Sequence, residues 1–127
     1  MDESTRRMEL RDKIEFRLYD IKDWCDDAQR EDWEKKSGNK GFFYQASYVP
    51  TYTKILDSFE EYFHKATIDQ VAFYIIAFLG KDWEAEKALI AKDDPGRDMK
   101  LGTMDAYKDF FGEFADIFAD RLFIGRV

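Results

Sequence analysis

The stretch that decides the fold runs from Thr67 to Gly80 and reads TIDQVAFYIIAFLG. Its first four residues match a capping box, in which a Thr side chain and a Gln three positions later bond to backbone N–H groups at the start of a helix. The residues that follow are apolar nearly all round a helix, a pattern typical of a helix enclosed by its neighbours. Gly80 is placed to end it. The sequence therefore predicts a central apolar helix over Ile68–Leu79.

Two amphipathic helices are predicted upstream of this stretch. Residues 4–36 have apolar positions spaced three and four apart, which indicates one long helix. Pro50 suits the first turn of a second helix that runs to about residue 65. The aromatic segment between them, Phe42–Val49, is compatible with a loop, a short strand or a helical turn. Because the residue before a proline is biased away from helix, we expect the second helix to begin at Pro50.

Two further helices are predicted downstream. Asp82 is a candidate N-cap for a short fourth helix. The sequence Asp93-Asp94-Pro95-Gly96 favours a turn over a calcium loop, because the alternating acids and the closing Glu of an EF-hand are absent. The polar residues from this turn to Gly102 predict a mobile loop. Thr103 is then expected to cap a last helix that reaches about Leu122.

Composition supports an all-α fold. The chain has 127 residues, of which 45% are hydrophobic and 17% aromatic, so it can bury a sizeable core. Two prolines and seven glycines interrupt it, too few for a turn-rich β architecture. We therefore expect a compact single-domain bundle of about five helices with a central apolar helix, and residues 1–127 as one helical domain.

The net charge of the chain disfavours two classes of binding partner. The formal net charge is −7, and a chain of this sign is poorly suited to bind nucleic acid directly or to bind an anionic membrane surface. The longest apolar run is too short to span a bilayer, and the first residues do not resemble a signal peptide. One cysteine excludes an internal disulfide. We expect a cytoplasmic protein.

Residue types suited to catalysis are scarce. His64 is the single histidine, and Cys25 is the single cysteine. Cys25 falls in the apolar stripe of the first helix, where an inert buried thiol is expected. The chain has no phosphate-binding or dinucleotide-binding glycine motif, and it cannot supply a zinc site with several Cys or His ligands. We therefore expect a protein without catalytic residues and without a cofactor.

Carboxylates form single-sign stripes on the first and last predicted helices. At 100° per residue, each stripe spans an arc of about 80° away from the apolar residues. The first stripe consists of Asp20, Asp23, Asp27, Glu31 and Glu34, and the second of Asp105, Asp109, Glu113, Asp116 and Asp120. Like charges four residues apart are mildly destabilising, so the pattern needs an explanation. Solubility is one explanation.

A docking surface for a basic protein partner is the other explanation. Carboxylates every three or four residues space negative charge much as a nucleic-acid strand does, and such a surface steers association with a basic groove. The sequence therefore predicts a non-catalytic acidic binding protein, such as an inhibitor or immunity-type protein directed at a nucleic-acid-processing enzyme. Trp33 and Tyr44 are the candidate aromatic anchors.

An alternative function is metal-dependent hydrolysis of nucleotides. Glu31-Asp-Trp-Glu34 and Glu113-Phe-Ala-Asp116 place paired carboxylates on two helices, and four such oxygen ligands are suited to Mg²⁺ or Mn²⁺. In this respect the chain resembles helical nucleotide pyrophosphohydrolases of the MazG and dimeric dUTPase kind. Those enzymes normally carry the two pairs on neighbouring helices of one hairpin, whereas these pairs lie far apart in the chain. The resemblance implies a hydrolase in which the four carboxylates converge.

A homodimeric scaffold protein is a further alternative. Aromatic residues outside the main apolar stripe are candidate interface anchors. On the first helix these are Phe16, Tyr19, Trp24 and Trp33. We expect this long helix to be buried on two sides, which would enclose them. The residues that we expect to be exposed are the aromatic residues of the ambiguous segment, Phe42, Phe43, Tyr44 and Tyr48.

Overall fold

Five helices and no strand occur in residues 2–30 and 42–119, the parts of the chain that the computed structural model describes. They are α1 (Glu3–Arg30), α2 (Phe42–Lys65), α3 (Ile68–Leu79), α4 (Trp83–Ala88) and α5 (Arg97–Gly112). Residues of α1, α2, α3 and α5 form a shared cluster of buried apolar side chains, which confirms the all-α fold class. None of these described helices is long and apolar enough to cross a bilayer.

α1 packs on the rest of the bundle along one side. The buried residues follow the predicted stripe and are Leu10, Ile14, Leu18, Ile21 and Cys25. The Arg11 guanidinium donates to the backbone carbonyl oxygens of Phe63 and Ala66, at 3.4 and 3.0 Å. Trp24, nearer the other end of α1, packs on Tyr52. α1 and α2 therefore run in opposite directions. The predicted extension of the first helix over residues 31–36 lies outside the described residues.

α2 contains Pro50 in its interior, so the prediction that a helix begins at this proline is wrong. Proline cannot donate the backbone hydrogen bond that the carbonyl of Ala46 would receive. Both Ala46 and Pro50 are exposed, so water can satisfy that carbonyl. On the buried side of the same turns, the rings of Tyr44, Tyr48 and Tyr52 stack in succession, with centroids 5.8 and 5.9 Å apart. Burial of this tyrosine column stabilises the helix across the proline.

α2 and α5 make the most extensive helix–helix contact in the described fold. The contacting residues advance together along both helices. Tyr44 bonds to Asp105, and Tyr48 bonds to Asp109, in each case 61 positions later. The two helices therefore run parallel. The segment that contains α3 and α4 returns the chain from the end of α2 to the start of α5.

A close approach between α2 and α5 occurs at Gly102, which is buried. A Cβ atom at this position would overlap the Ser47 hydroxyl and the backbone carbonyl oxygen of Tyr44. The Ser47 hydroxyl lies 2.7 Å from the carbonyl oxygen of Met99 and 3.0 Å from that of Tyr44, and its one proton can be donated to either. The missing side chain at Gly102 is thus what permits this contact.

α5 differs from the predicted last helix at both ends. It begins at Arg97, because the segment expected to be a mobile loop packs on α2 as helix. The hydroxyl of Thr103, expected to cap the helix, instead donates to the carbonyl oxygen of Met99 within it, at 3.0 Å. After Gly112 the chain continues in turns whose backbone bonds join residues three apart, and residues beyond 119 lie outside the described part.

α3 has the predicted bounds and cap. The Thr67 hydroxyl accepts from the Gln70 N–H at 3.2 Å, and the Gln70 side chain accepts from the Thr67 N–H at 3.0 Å, which confirms the capping box. The buried residues of this helix are Ile68, Val71, Ala72 and Ile75. Phe73 is 76% exposed. Neighbours cover α3 along one side rather than all round, because α2 and α5 form the main contact of the bundle.

Local bonds confirm two further predictions from the sequence. The Asp82 carboxylate caps α4 by accepting from the Ala85 N–H at 3.1 Å. The turn before α5 is closed by the Asp94 carboxylate, which accepts from the Gly96 N–H at 2.7 Å. Both interactions span three residues or fewer, which is why the sequence alone reveals them.

An aromatic cluster fills the space between α2, α3 and α5. Phe59 makes edge-on contacts with Phe110 and Phe111, at centroid distances of 5.6 and 5.8 Å. Phe110 also meets the edge of Tyr52 at 5.6 Å, and Phe111 stacks on Phe78 at 4.2 Å. Offset-stacked and edge-on geometries are the favoured arrangements of aromatic rings. The interior is therefore held mainly by large flat side chains.

Candidate functional site

The acidic stripe of α5 is bonded to its neighbours. The Asp105 carboxylate accepts from the Tyr44 hydroxyl at 2.5 Å and pairs with the Lys87 ammonium at 2.5 Å, and its side chain is 16% exposed. Asp109 accepts from the Tyr48 hydroxyl at 2.6 Å. These two carboxylates connect α5 with α2 and α4. Both carboxylates are therefore bonded within the fold, and their contact with a partner stays a prediction.

Tyr44 is not available as a partner anchor, because its side chain is only 7% exposed. Burial raises the pKa of Tyr44 and Tyr48 above the ordinary tyrosine value, and the bonds to Asp105 and Asp109 raise it further. Both hydroxyls therefore stay protonated and keep donating. The expected exposure of the aromatic segment holds for Phe43, which is 60% exposed, but not for these two tyrosines.

Asp116 is held by α1. The Arg17 guanidinium donates to both of its carboxylate oxygens, at 2.8 and 2.9 Å, and also to the backbone carbonyl oxygen of Glu113. This two-point bond holds the pKa of Asp116 below its usual value. The carboxylate therefore fastens the turn after α5 to α1. The Glu113 side chain forms no ion pair or hydrogen bond with a described residue, and Asp120 lies outside the described residues.

Six exposed carboxylates of α1 form no ion pair with any other described residue. They are Glu9, Asp12, Glu15, Asp20, Asp23 and Asp26. Asp20 and Asp23 belong to the predicted stripe. The side chain of Asp27 and the whole of Glu31, Trp33 and Glu34 lie outside the described residues. Among the described residues, the stripe residues Asp20 and Asp23 of α1 are therefore unpaired, whereas the stripe residues Asp105 and Asp109 of α5 are bonded.

Two aromatic side chains stand among these carboxylates. Phe16 is 75% exposed and Tyr19 is 76% exposed, so the expectation that α1 is buried on two sides is wrong for this region. At 100° per residue, they share an arc of about 80° with other residues of α1, opposite the buried stripe. The described side chains of this arc, the outer face of α1, are Thr5, Met8, Asp12, Phe16, Tyr19, Asp23 and Asp26. The signal in the sequence that can identify this face is the angular position of its residues around the helix.

The outer face combines apolar anchors with unpaired negative charge. Phe16 and Tyr19 border a shallow hollow of about 290 Å³, with Asp12 and Glu15 as its other lining residues. Exposed aromatic side chains surrounded by charge are typical of protein–protein contact sites. No family model, curated protein or solved structure matches the chain.

A metal centre is not formed by the described residues. In residues 2–30 and 42–119, no three His, Cys, Asp or Glu side chains are close enough together to hold a metal ion. Of the four carboxylates in the hydrolase alternative, Asp116 is bound to Arg17, and Glu113 is near the same guanidinium. Glu31 and Glu34 lie outside the described residues, so convergence of the four stays a prediction.

Cys25 and His64 do not form a catalytic pair. Cys25 is buried on α1 close to Tyr52, whereas His64 is exposed near the end of α2. The helix rises about 18 Å between positions 52 and 64. Separation on this scale prevents proton transfer between the two side chains.

We expect Cys25 to be nearly unreactive in the folded protein. Burial, together with the nearby charges of Asp26 and Asp57, raises the pKa of its thiol to about 11. Little thiolate, the reactive form, is then present at pH 8, so a disulfide reagent such as DTNB should react roughly 100-fold more slowly with the folded than with the urea-unfolded protein. Because Cys25 is the single cysteine, absorbance of the released thiolate measures this site alone. Equal rates would show an accessible thiol.

Proposed function

We propose that this protein is a non-catalytic acidic binding protein that docks on a basic protein surface through the outer face of α1. The observation that carries the proposal is the exposure of Phe16 and Tyr19 in the middle of an otherwise acidic surface. These rings point away from the core, so folding does not require aromatic side chains there. An inhibitor or immunity-type protein acting in the cytoplasm on a nucleic-acid-processing enzyme is the most concrete form of this proposal.

The two components of the outer face act on different steps of binding. Unpaired carboxylates attract a basic groove over several ångströms and raise the association rate by roughly one to three orders of magnitude at low salt. Phe16 and Tyr19 supply apolar area at the centre of the contact, which slows dissociation. Added salt should therefore reduce the association rate much more than it changes the dissociation rate.

A second copy of the chain is a poorer occupant of this face. Two outer faces brought together would oppose like charges at Asp12, Asp23 and Asp26, and the described side chains of this arc include no cation. A basic surface has the complementary charge. This argument favours a different protein as partner over the homodimeric scaffold.

Charge reversal on the outer face tests the proposal. The double variant Asp12→Lys/Asp23→Lys should lose the partners that the unaltered protein retains from a cell extract, and the Kd measured with each purified partner should rise about 10–100-fold. Phe16→Ala/Tyr19→Ala should weaken binding by a similar factor, mostly through faster dissociation. Surface plasmon resonance separates the two rate constants.

The matched control is Asp93→Lys/Asp98→Lys, which changes the net charge equally at two exposed sites outside α1. It should leave the Kd within about twofold. If the control and the outer-face variant weaken binding equally, net charge rather than this face is responsible. Reversal of Asp109 and Asp116 is unsuitable because these residues hold Tyr48 and Arg17.

A further inference from the structure

A cleft lies beside the outer face, where α1 and α2 meet the end of α5. It comprises two adjoining hollows of about 550 and 280 Å³, which share Trp24, Tyr52 and Glu113 in their walls. The larger hollow has the size of sites that enclose small molecules. Because its lining does not include Phe16 or Tyr19, it is a separate feature from the proposed docking surface.

Half of the residues that line the larger hollow are aromatic. They are Trp24, Tyr48, Tyr52, Phe78 and Trp83. The face of an aromatic ring attracts a cation that lies within about 6 Å of its centre, most strongly for tryptophan. The Lys81 ammonium already lies 5.0 Å from the centroid of Trp83. The walls therefore suit a group that is apolar and positively charged.

The free charge at the cleft is negative. Asp109, Glu113 and Lys108 line the larger hollow, and the Lys108 ammonium lies 3.7 Å from Glu84, outside this lining. Arg17, the cation of the smaller hollow, is bound to Asp116, and its guanidinium also lies near Glu113 and donates to the Glu113 backbone carbonyl oxygen. Glu113 stands where the hollows join and forms no ion pair with a described residue. Its carboxylate is therefore the counter-ion that the cleft offers to a ligand.

We propose that this cleft binds a small organic cation, an ammonium or guanidinium group carried on an apolar body. The cationic group pairs with Glu113 at the junction of the two hollows, and the apolar body lies against Trp24 and Trp83. Phosphates and other anions are disfavoured by the two carboxylates. A neutral aromatic molecule gains the wall contacts but not the ion pair.

Gly112 provides a way to close the cleft without disturbing the core. It lines the larger hollow, and a Cβ atom added to it would meet no other atom within 4 Å. A leucine at this position therefore places its side chain in open space and reduces the room for a ligand. Alanine at the same position removes the glycine while leaving most of that room.

The experiment is a calorimetric titration at fixed ionic strength with three aryl cations: benzyltrimethylammonium, phenethylammonium and phenylguanidinium. Benzyl alcohol is the neutral comparison. We expect saturable binding of at least one cation in the millimolar range or tighter, about tenfold tighter than benzyl alcohol. Gly112→Leu should abolish it, whereas Gly112→Ala should retain it. Tryptophan fluorescence gives a second readout, since Trp24 and Trp83 line the site.

The variant Glu113→Gln distinguishes the contribution of the ion pair to binding from that of the cavity. It should weaken cation binding about tenfold and leave benzyl alcohol binding unchanged. Glu9→Gln, an exposed carboxylate of α1 outside both hollows, is the control and should bind as the unaltered protein does. The proposal is overturned if none of the three cations binds saturably to the folded protein, or if binding is the same in Glu113→Gln and Gly112→Leu as without them.

Discussion

Replacing Gly102 with alanine should destabilise the protein by about 2 kcal/mol, even though alanine is the better helix former. Overpacking costs up to about 3 kcal/mol, and the gain in helix propensity offsets about 1 kcal/mol of it. The added Cβ would overlap the Ser47 hydroxyl and the Tyr44 carbonyl oxygen. The second is a backbone atom, so the overlap is relieved only if α2 moves away from α5. Urea denaturation followed by circular dichroism measures the change.

The control for Gly102→Ala is Gly112→Ala in the same helix. An added Cβ at Gly112 meets nothing within 4 Å, so only the propensity gain remains, at most about 1 kcal/mol of added stability. The two variants should thus shift the midpoint of unfolding in opposite directions. A shift of the same sign and size for both would mean that α2 and α5 do not approach closely at Gly102.

Replacing Phe110 with alanine should have the largest effect of any single truncation considered, about 3–5 kcal/mol. The ring is 0% exposed and has Tyr52, Phe59, Phe111 and Phe114 around it. Its removal leaves a cavity that several rigid rings cannot collapse to fill. The free energy of unfolding from urea titration gives the loss, and an unchanged m value would show that the same surface still unfolds.

Phe73→Ala is the matched control for Phe110→Ala. The same side chain is removed from a position that is 76% exposed, so the change in stability should stay within about 0.5 kcal/mol. A large loss at Phe73 would indicate that α3 is covered on its outer side as well. A small loss at Phe110 would be incompatible with the aromatic cluster described here.

The helix boundaries that the sequence predicts correctly are set by interactions between residues that are close in the chain. The bounds of α3 follow from Thr67 and Gln70, and the start of α4 follows from Asp82, because each cap forms within one turn. The starts of α2 and α5 were placed too late for the opposite reason. Pro50 and Gly102 usually interrupt helices, and here contacts between α2 and α5 override that tendency.

The acidic stripes, too, could be predicted only in part from the sequence. The single-sign pattern is visible in the sequence, but the groups that bind carboxylates of the second stripe come from α1, α2 and α4. One signal was available: tyrosines at 44, 48 and 52 and acids at 105, 109 and 113 have the same spacing of four. Angular position separates the outer face of α1 from its buried stripe, but the exposure of Phe16 and Tyr19 on that face is visible only in the structure.

The parallel arrangement of α2 and α5 has a kinetic consequence. Small helical proteins ordinarily fold fast because most of their contacts join residues close in sequence. Here the principal interface joins positions 61 apart, as in the pair of Tyr44 and Asp105. A long loop must be closed before that interface contributes any stability. We therefore expect closure of this loop, rather than formation of the helices, to limit the rate of folding.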